Sequence, residues 1–67
     1  MITVSINGEA RQFPQTISIE QLIAEMGLTG KRIALERNGE IVPRSTFPNT
    51  ELADGDKLEV VVAVGGG

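Results

Sequence analysis

The residues with the most distinctive chemistry are the last three. Gly65, Gly66 and Gly67 stand directly behind the apolar run VVVAV of Val60–Val64. Glycine loses more conformational freedom on ordering than any other residue, so a bare glycine tail on a strand needs a reason. What such a tail offers is backbone and a terminal carboxylate. A carboxylate is a poor electrophile, but ATP can activate it as an acyl-adenylate with pyrophosphate as leaving group. A tail without side chains can thread a narrow channel to the α-phosphate, hydrogen-bonded along its backbone from both sides. A sulfur donor can then displace AMP and leave a thiocarboxylate on Gly67. In that chemistry Gly66 and Gly67 form the functional terminus and Gly65 extends its reach. On these three residues alone, a frayed end or an added glycine tag fits equally well.

The rest of the composition narrows the field. Sixty-seven residues make at most one domain, and the chain has no Cys and no His. Disulfides and Cys/His zinc sites are therefore excluded as staples. So are a histidine base and a cysteine nucleophile or persulfide carrier. A chain this short has little room for a deep pocket. The expectation is a carrier or binding module that is no enzyme and holds no cofactor or metal; ATP would be consumed by an activating partner. Net charge is −3, and Lys31, Arg32 and Arg37 do not make a basic stripe, so nucleic acid is not expected. Val60–Val64 is too short to span a bilayer, and MITVSING lacks the regions of a signal peptide. The expected location is cytoplasmic.

The elements that must position the tail can be read in order. Ile2, Val4 and Ile6 alternate with Thr3, Ser5 and Asn7, the period of a strand with one buried face. Asn7-Gly8 is a favoured two-residue hairpin turn. The polar return strand Glu9 to Phe13 belongs at an edge, and Pro14 ends it. In TISIEQLIAEMGL, Ile19, Leu22, Ile23 and Met26 fall on one helical stripe. Ser18 with Gln21 forms a capping box, Ile17 can staple onto Leu22, and Gly27 suits a left-handed C′ position with Leu28 folding back on Ile23. Glu20 in the first turn suits the helix dipole. A strand follows at Ile33–Glu36, then a second Asn-Gly turn at Asn38-Gly39 and a brief strand, Ile41-Val42, stopped by Pro43. Arg44 to Leu52 lacks a period and reads as a loop with room for one helical turn. Asp54-Gly55-Asp56 reads as a turn, both aspartates serving as turn formers. Lys57 to Val64 is the last strand. Being Val-rich and apolar on both faces, it belongs in the middle of a sheet, parallel to the first strand through a right-handed crossover.

The expected fold class is α+β: a mixed four- to five-stranded sheet with one main helix on one face. That order is the β-grasp of ubiquitin-like proteins. A β-grasp whose central last strand runs into glycines resembles the sulfur-carrier branch. NGEIVPRS (Asn38 to Ser45), LADGDKLEVVVAVGGG (Leu52 to Gly67) and TISIEQLIAEMGL together resemble the sulfur carriers of thiamine thiazole biosynthesis, the ThiS family, over essentially the whole chain. The Asp-Gly-Asp turn and tail are also similar to those of molybdopterin-type carriers, and NGEIVPRS tilts the match toward thiamine. The resemblance implies a β-grasp domain at 1–64 and a flexible glycine tail at 65–67. It also implies an ATP-dependent adenylating and sulfur-transfer enzyme and a thiazole synthase as partners.

Three rival readings remain at this point. One is a carrier for molybdopterin or another thiolation pathway. The second is a ubiquitin-like modifier joined to target lysines, and the third a plain interaction module with an idle tail. A second candidate surface is the outward side of the last strand. If Leu58, Val60, Val62 and Val64 face the helix, Val61 and Ala63 face outward, rimmed by Lys57 and Glu59, and form a patch suited to a partner. Arg44, behind Pro43, is a candidate to pair with a partner's carboxylate. Each has a plain structural alternative: a Val-rich central strand, and a solvated loop arginine.

Overall fold

The computed structural model describes residues 1–63. Within them the order is β1 (Ile2–Ile6), β2 (Glu9–Phe13), α1 (Ile19–Glu25), β3 (Ile33–Arg37), β4 (Glu40–Ile41), a 3₁₀ helix (Arg44–Asn49) and β5 (Lys57–Val62). The strands form one five-stranded sheet in the order β2-β1-β5-β3-β4. The last strand is thus the middle one, parallel to β1 and antiparallel to β3. β2 is an edge, as its polar sequence requires.

Both Asn-Gly pairs make the turns their sequence predicts. Asn7 and Gly8 have φ of 51° and 86°, and Asn38 and Gly39 have 53° and 86°. Positive φ at both central positions is the type I′ geometry that matches strand twist. The helix begins and ends as its sequence dictates. The Ser18 side chain accepts from the backbone of Gln21 while the Ser18 backbone donates to the Gln21 side chain. At the other end Gly27, at φ 74°, donates to the Ala24 carbonyl, and Leu28 donates to that of Ile23. These two bonds are a Schellman closure, and they satisfy carbonyls the helix end would otherwise strand.

α1 covers one face of the sheet. Ile19 and Leu22 are fully buried, and they join Val4, Ile6, Leu35, Leu58 and Val60 in one core with Phe13, Ile23, Phe47 and Leu52. Burying a side chain of this size stabilises the fold by about 1.5–3 kcal/mol, which is how a small chain without cross-links holds together.

The structure departs from the sequence expectations at three places. Arg44–Asn49 is a six-residue 3₁₀ helix, more than the single turn allowed for, and it packs on α1. Pro43 caps it in an extended conformation, Thr46 donates back to the Pro43 carbonyl, and Phe47 is driven into the core. An aperiodic stretch folded around a single apolar anchor leaves no repeat to detect. The brief strand is Glu40–Ile41, with Val42 outside it, although the Val42 N–H still donates to the Leu35 carbonyl at 2.9 Å. Asp56 is more than a turn former: it is 6% exposed and is the buried charged residue among those described. β5 ends at Val62, with Ala63 already outside it, short of the strand expected to Val64; Val64 itself and the tail 65–67 lie outside the described residues.

Candidate functional site

The site to be built is the place from which the tail departs, and β5 is its support. Three sets of contacts hold β5. On one side β3 pairs with it over five residues, from Ile33 opposite Val62 to Arg37 opposite Leu58. On the other side the β1 pairing is short, covering Ser5 with Lys57 and Ile6 with Leu58. There β1 turns away, and the Asn7 side chain takes over. Its Oδ1 accepts from the Val60 N–H at 2.8 Å, and its Nδ2 donates to the Val60 carbonyl at 3.1 Å. One amide thus supplies the pair of bonds a neighbouring strand would make.

The second hairpin asparagine does related work at the start of β5. Asn38 Oδ1 accepts from the Lys57 N–H at 2.9 Å, and the Asn38 N–H donates to the Lys57 carbonyl at 2.8 Å. Asp56, just before the strand, receives three donors: the Ala53 N–H, Arg37 Nε and Asn38 Nδ2. The Arg37–Asp56 contact is an ion pair at 2.9 Å, with Arg37 about a quarter exposed. Asp54 Oδ1 accepts from the Thr3 N–H at 2.7 Å, tying the same turn to β1. β5 is therefore fixed at its entry and along both edges. At its far end the Ala63 N–H donates to the Arg32 carbonyl at 2.9 Å, the last anchor toward the tail among the described residues.

The sequence-predicted site residues fall into three places. Gly65, Gly66 and Gly67 lie outside the described residues. Val61 and Ala63 are exposed and share the sheet face away from α1. Arg44 is not with them. It opens the 3₁₀ helix on the opposite side, where it lines a shallow groove with Lys31, Ile23, Leu28 and Phe47. The structure therefore separates Arg44 from the Val61 face.

That face holds more than sequence reasoning found. Ala34 lies directly opposite Val61, Glu36 opposite Glu59, and Ile41 opposite Glu36 on the other side. All of these residues are exposed. Which residues pair is a matter of register, and one sequence does not reveal register. The Asn7 bridge was equally hidden, although Asn at the first position of a type I′ turn was its one available signal. Among the described residues there is no cluster of three metal-ligating side chains, and no helix is long and apolar enough to cross a membrane. The arrangement can present a firmly held strand end and an adjoining face.

The comparisons with known proteins bear on this arrangement directly. The ThiS family profile matches residues 4–67. The sulfur carrier protein ThiS of Bacillus subtilis is 35% identical over 65 residues, covering 96% of this chain and 98% of its own. A thiazole synthase of Paramagnetospirillum magneticum is 47% identical over 62 residues, covering 92% of this chain. This chain spans only 19% of that synthase. The crystal structure of a ThiS thiamine biosynthesis protein from Geobacter metallireducens superposes with a TM-score of 0.82 at 25% identity, covering 98% of this chain and all of that one.

Proposed function

The chain belongs to the ThiS family, and from that premise we propose that it is a sulfur carrier of thiamine biosynthesis that works through a Gly67 terminus. An adenylating enzyme joins the Gly67 carboxylate to the α-phosphate of ATP, and pyrophosphate leaves. A nucleophilic sulfur then attacks the acyl carbon, the C–O bond to AMP breaks, and a thiocarboxylate remains. Thiazole synthase takes that sulfur into the thiazole ring. The carrier supplies substrate and address; the partners supply catalysis.

The observation that carries this proposal is the match to the ThiS family across residues 4–67, glycine tail included. The fold adds a physical reason. β5 is central, bonded at both edges, and precedes the tail in the chain. A partner pulling the tail into a channel meets a strand that does not yield. The absence of Cys and His from the chain also fits a protein that carries sulfur on its own terminus. The thiazole synthase that contains a stretch similar to this chain within its own length supports that enzyme as a partner, since two functions joined in one polypeptide are commonly used together. Arg44, on the helix side, is available to a partner carboxylate but contributes nothing to the tail's support.

The test is intact mass after incubation with ATP, a sulfur donor and the adenylating enzyme of thiamine biosynthesis. The expected result is a gain equal to one oxygen exchanged for sulfur, located on the C-terminal peptide and lost when Gly67 is deleted. Loading only by a molybdopterin-type enzyme would move the chain to that pathway. Accumulation of isopeptide conjugates would make it a modifier.

A further inference from the structure

We propose that Asn7 is a self-modification site: its side-chain amide is hydrolysed through the backbone nitrogen of Gly8, and the product releases the clasp on β5. The inference stands apart from the sulfur-carrier reading and needs no partner but water.

The chain carries the same tripeptide, Asn-Gly-Glu, twice: at Asn7–Glu9 and at Asn38–Glu40. Asn-Gly is the dipeptide most open to this chemistry, because glycine has no side chain to shield its nitrogen. Both pairs sit in the same turn, with φ of 51° and 86° at the first and 53° and 86° at the second. Both asparagines and both glycines are exposed. Among the described residues neither glycine N–H donates a backbone hydrogen bond, so each attacking nitrogen is free. With the following residues and the turn equal, a difference in reactivity comes from what holds each amide.

The holds differ. Asn38 Nδ2 donates to the carboxylate of Asp56, a buried charged acceptor that is itself fixed by Arg37 Nε and the Ala53 N–H. Asn7 Nδ2 donates to the Val60 carbonyl, a neutral acceptor. A hydrogen bond to an ionised group is roughly twice as strong as a neutral one. The amide must leave its acceptor before Cγ can meet the glycine nitrogen, so Asn7 is the freer of the two.

The step balances with water alone. The Gly8 nitrogen bonds to Asn7 Cγ, the Cγ–Nδ2 bond breaks, and the proton from Gly8 passes through solvent to the leaving group, which departs as ammonia. Water then opens the cyclic imide at either carbonyl, giving an aspartate or an isoaspartate at position 7. Nothing is oxidised or reduced. An aspartate keeps the acceptor for the Val60 N–H but loses the donor to the Val60 carbonyl, so two oxygens meet where donor and acceptor now stand 3.1 Å apart. An isoaspartate adds a backbone carbon to a turn closed over two residues. Either product unfastens β5 where β1 has turned away, and leaves a buried carbonyl unpaired. An aged chain thus differs from a fresh one in both charge and stability.

The experiment ages the full-length chain at mildly alkaline pH and reads each site by peptide mass after trypsin, which puts the two asparagines on peptides ending at Arg11 and Arg44. Conversion shows as a gain equal to one NH2 exchanged for OH. In the folded chain Asn7 is expected to convert about tenfold faster than Asn38, the difference between a neutral and a charged acceptor. In urea, where neither amide is held, the two rates converge. Asn7→Asp, which mimics one product, is expected to melt about 4–8 °C below wild type, the effect of one such lost bond, with faster hydrogen exchange at the Val60 amide. Asn7 converting no faster than Asn38 in the folded chain, or the same gap persisting in urea, overturns the assignment of the site. Asn7→Asp melting within about 1 °C of wild type overturns the release of β5.

Discussion

Asp56 shows how much a single side chain in a turn can decide. Its carboxylate gathers the Ala53 N–H, Arg37 Nε and Asn38 Nδ2 within 3.2 Å, at 6% exposure. These bonds join the turn before β5, the end of β3 and the second hairpin. Removing one partner of such a set leaves the others unsatisfied, which costs more than the bonds themselves contribute. Asp56→Ala is expected to destabilise the fold by about 2–3 kcal/mol, the partial exposure of Arg37 keeping the loss below that of a fully buried pair. Chemical denaturation reads this directly, and a loss under about 0.5 kcal/mol would reduce Asp56 to an ordinary turn residue. The sequence carried only half of this. Asp-Gly-Asp announced a turn, with Gly55 at φ 89°. It did not say which aspartate faces inward, because that depends on a strand nineteen residues earlier arriving alongside.

At the scale of elements, legibility followed locality. The helix was written in its own residues: Ser18 and Gln21 at one end, Gly27 and Leu28 at the other, and the apolar stripe between. Both hairpins were written in Asn-Gly pairs. The 3₁₀ helix was not, since Phe47 supplies one buried anchor and the rest of its order comes from packing on α1 and from Thr50 donating to the Thr46 carbonyl. Gly27 tests the local part. A Cβ there would meet nothing within 4 Å, so space is not limiting and only its φ of 74° is. Gly27→Ala should therefore cost about 1 kcal/mol from backbone strain alone. A variant as stable as wild type in thermal unfolding would show that the Schellman closure relaxes at no cost.

At the scale of the whole molecule, the proposed function predicts that the fold and the tail are separable in stability and joined in activity. Among the described residues the core runs from Val4 to Val60. A chain ending at Val64 keeps every core residue among those described and is expected to melt within about 2 °C of the full chain, while losing all sulfur loading. Differential scanning calorimetry with intact mass separates the two, and a marked fall in melting temperature would give the tail a structural role. The sheet order was legible because a Val-rich last strand belongs at the centre. The face opposite α1 was only partly legible: Val61 and Ala63 followed from alternation, but Glu36 against Glu59 needed the register. The central strand has a mechanical consequence as well. Hydrogen bonds to β3 and to Asn7 run across the axis of β5, so a pull on the C-terminus loads them all together in shear and cannot peel them one at a time. The domain is built as an anchor that can be towed by its last residues and still keep its shape.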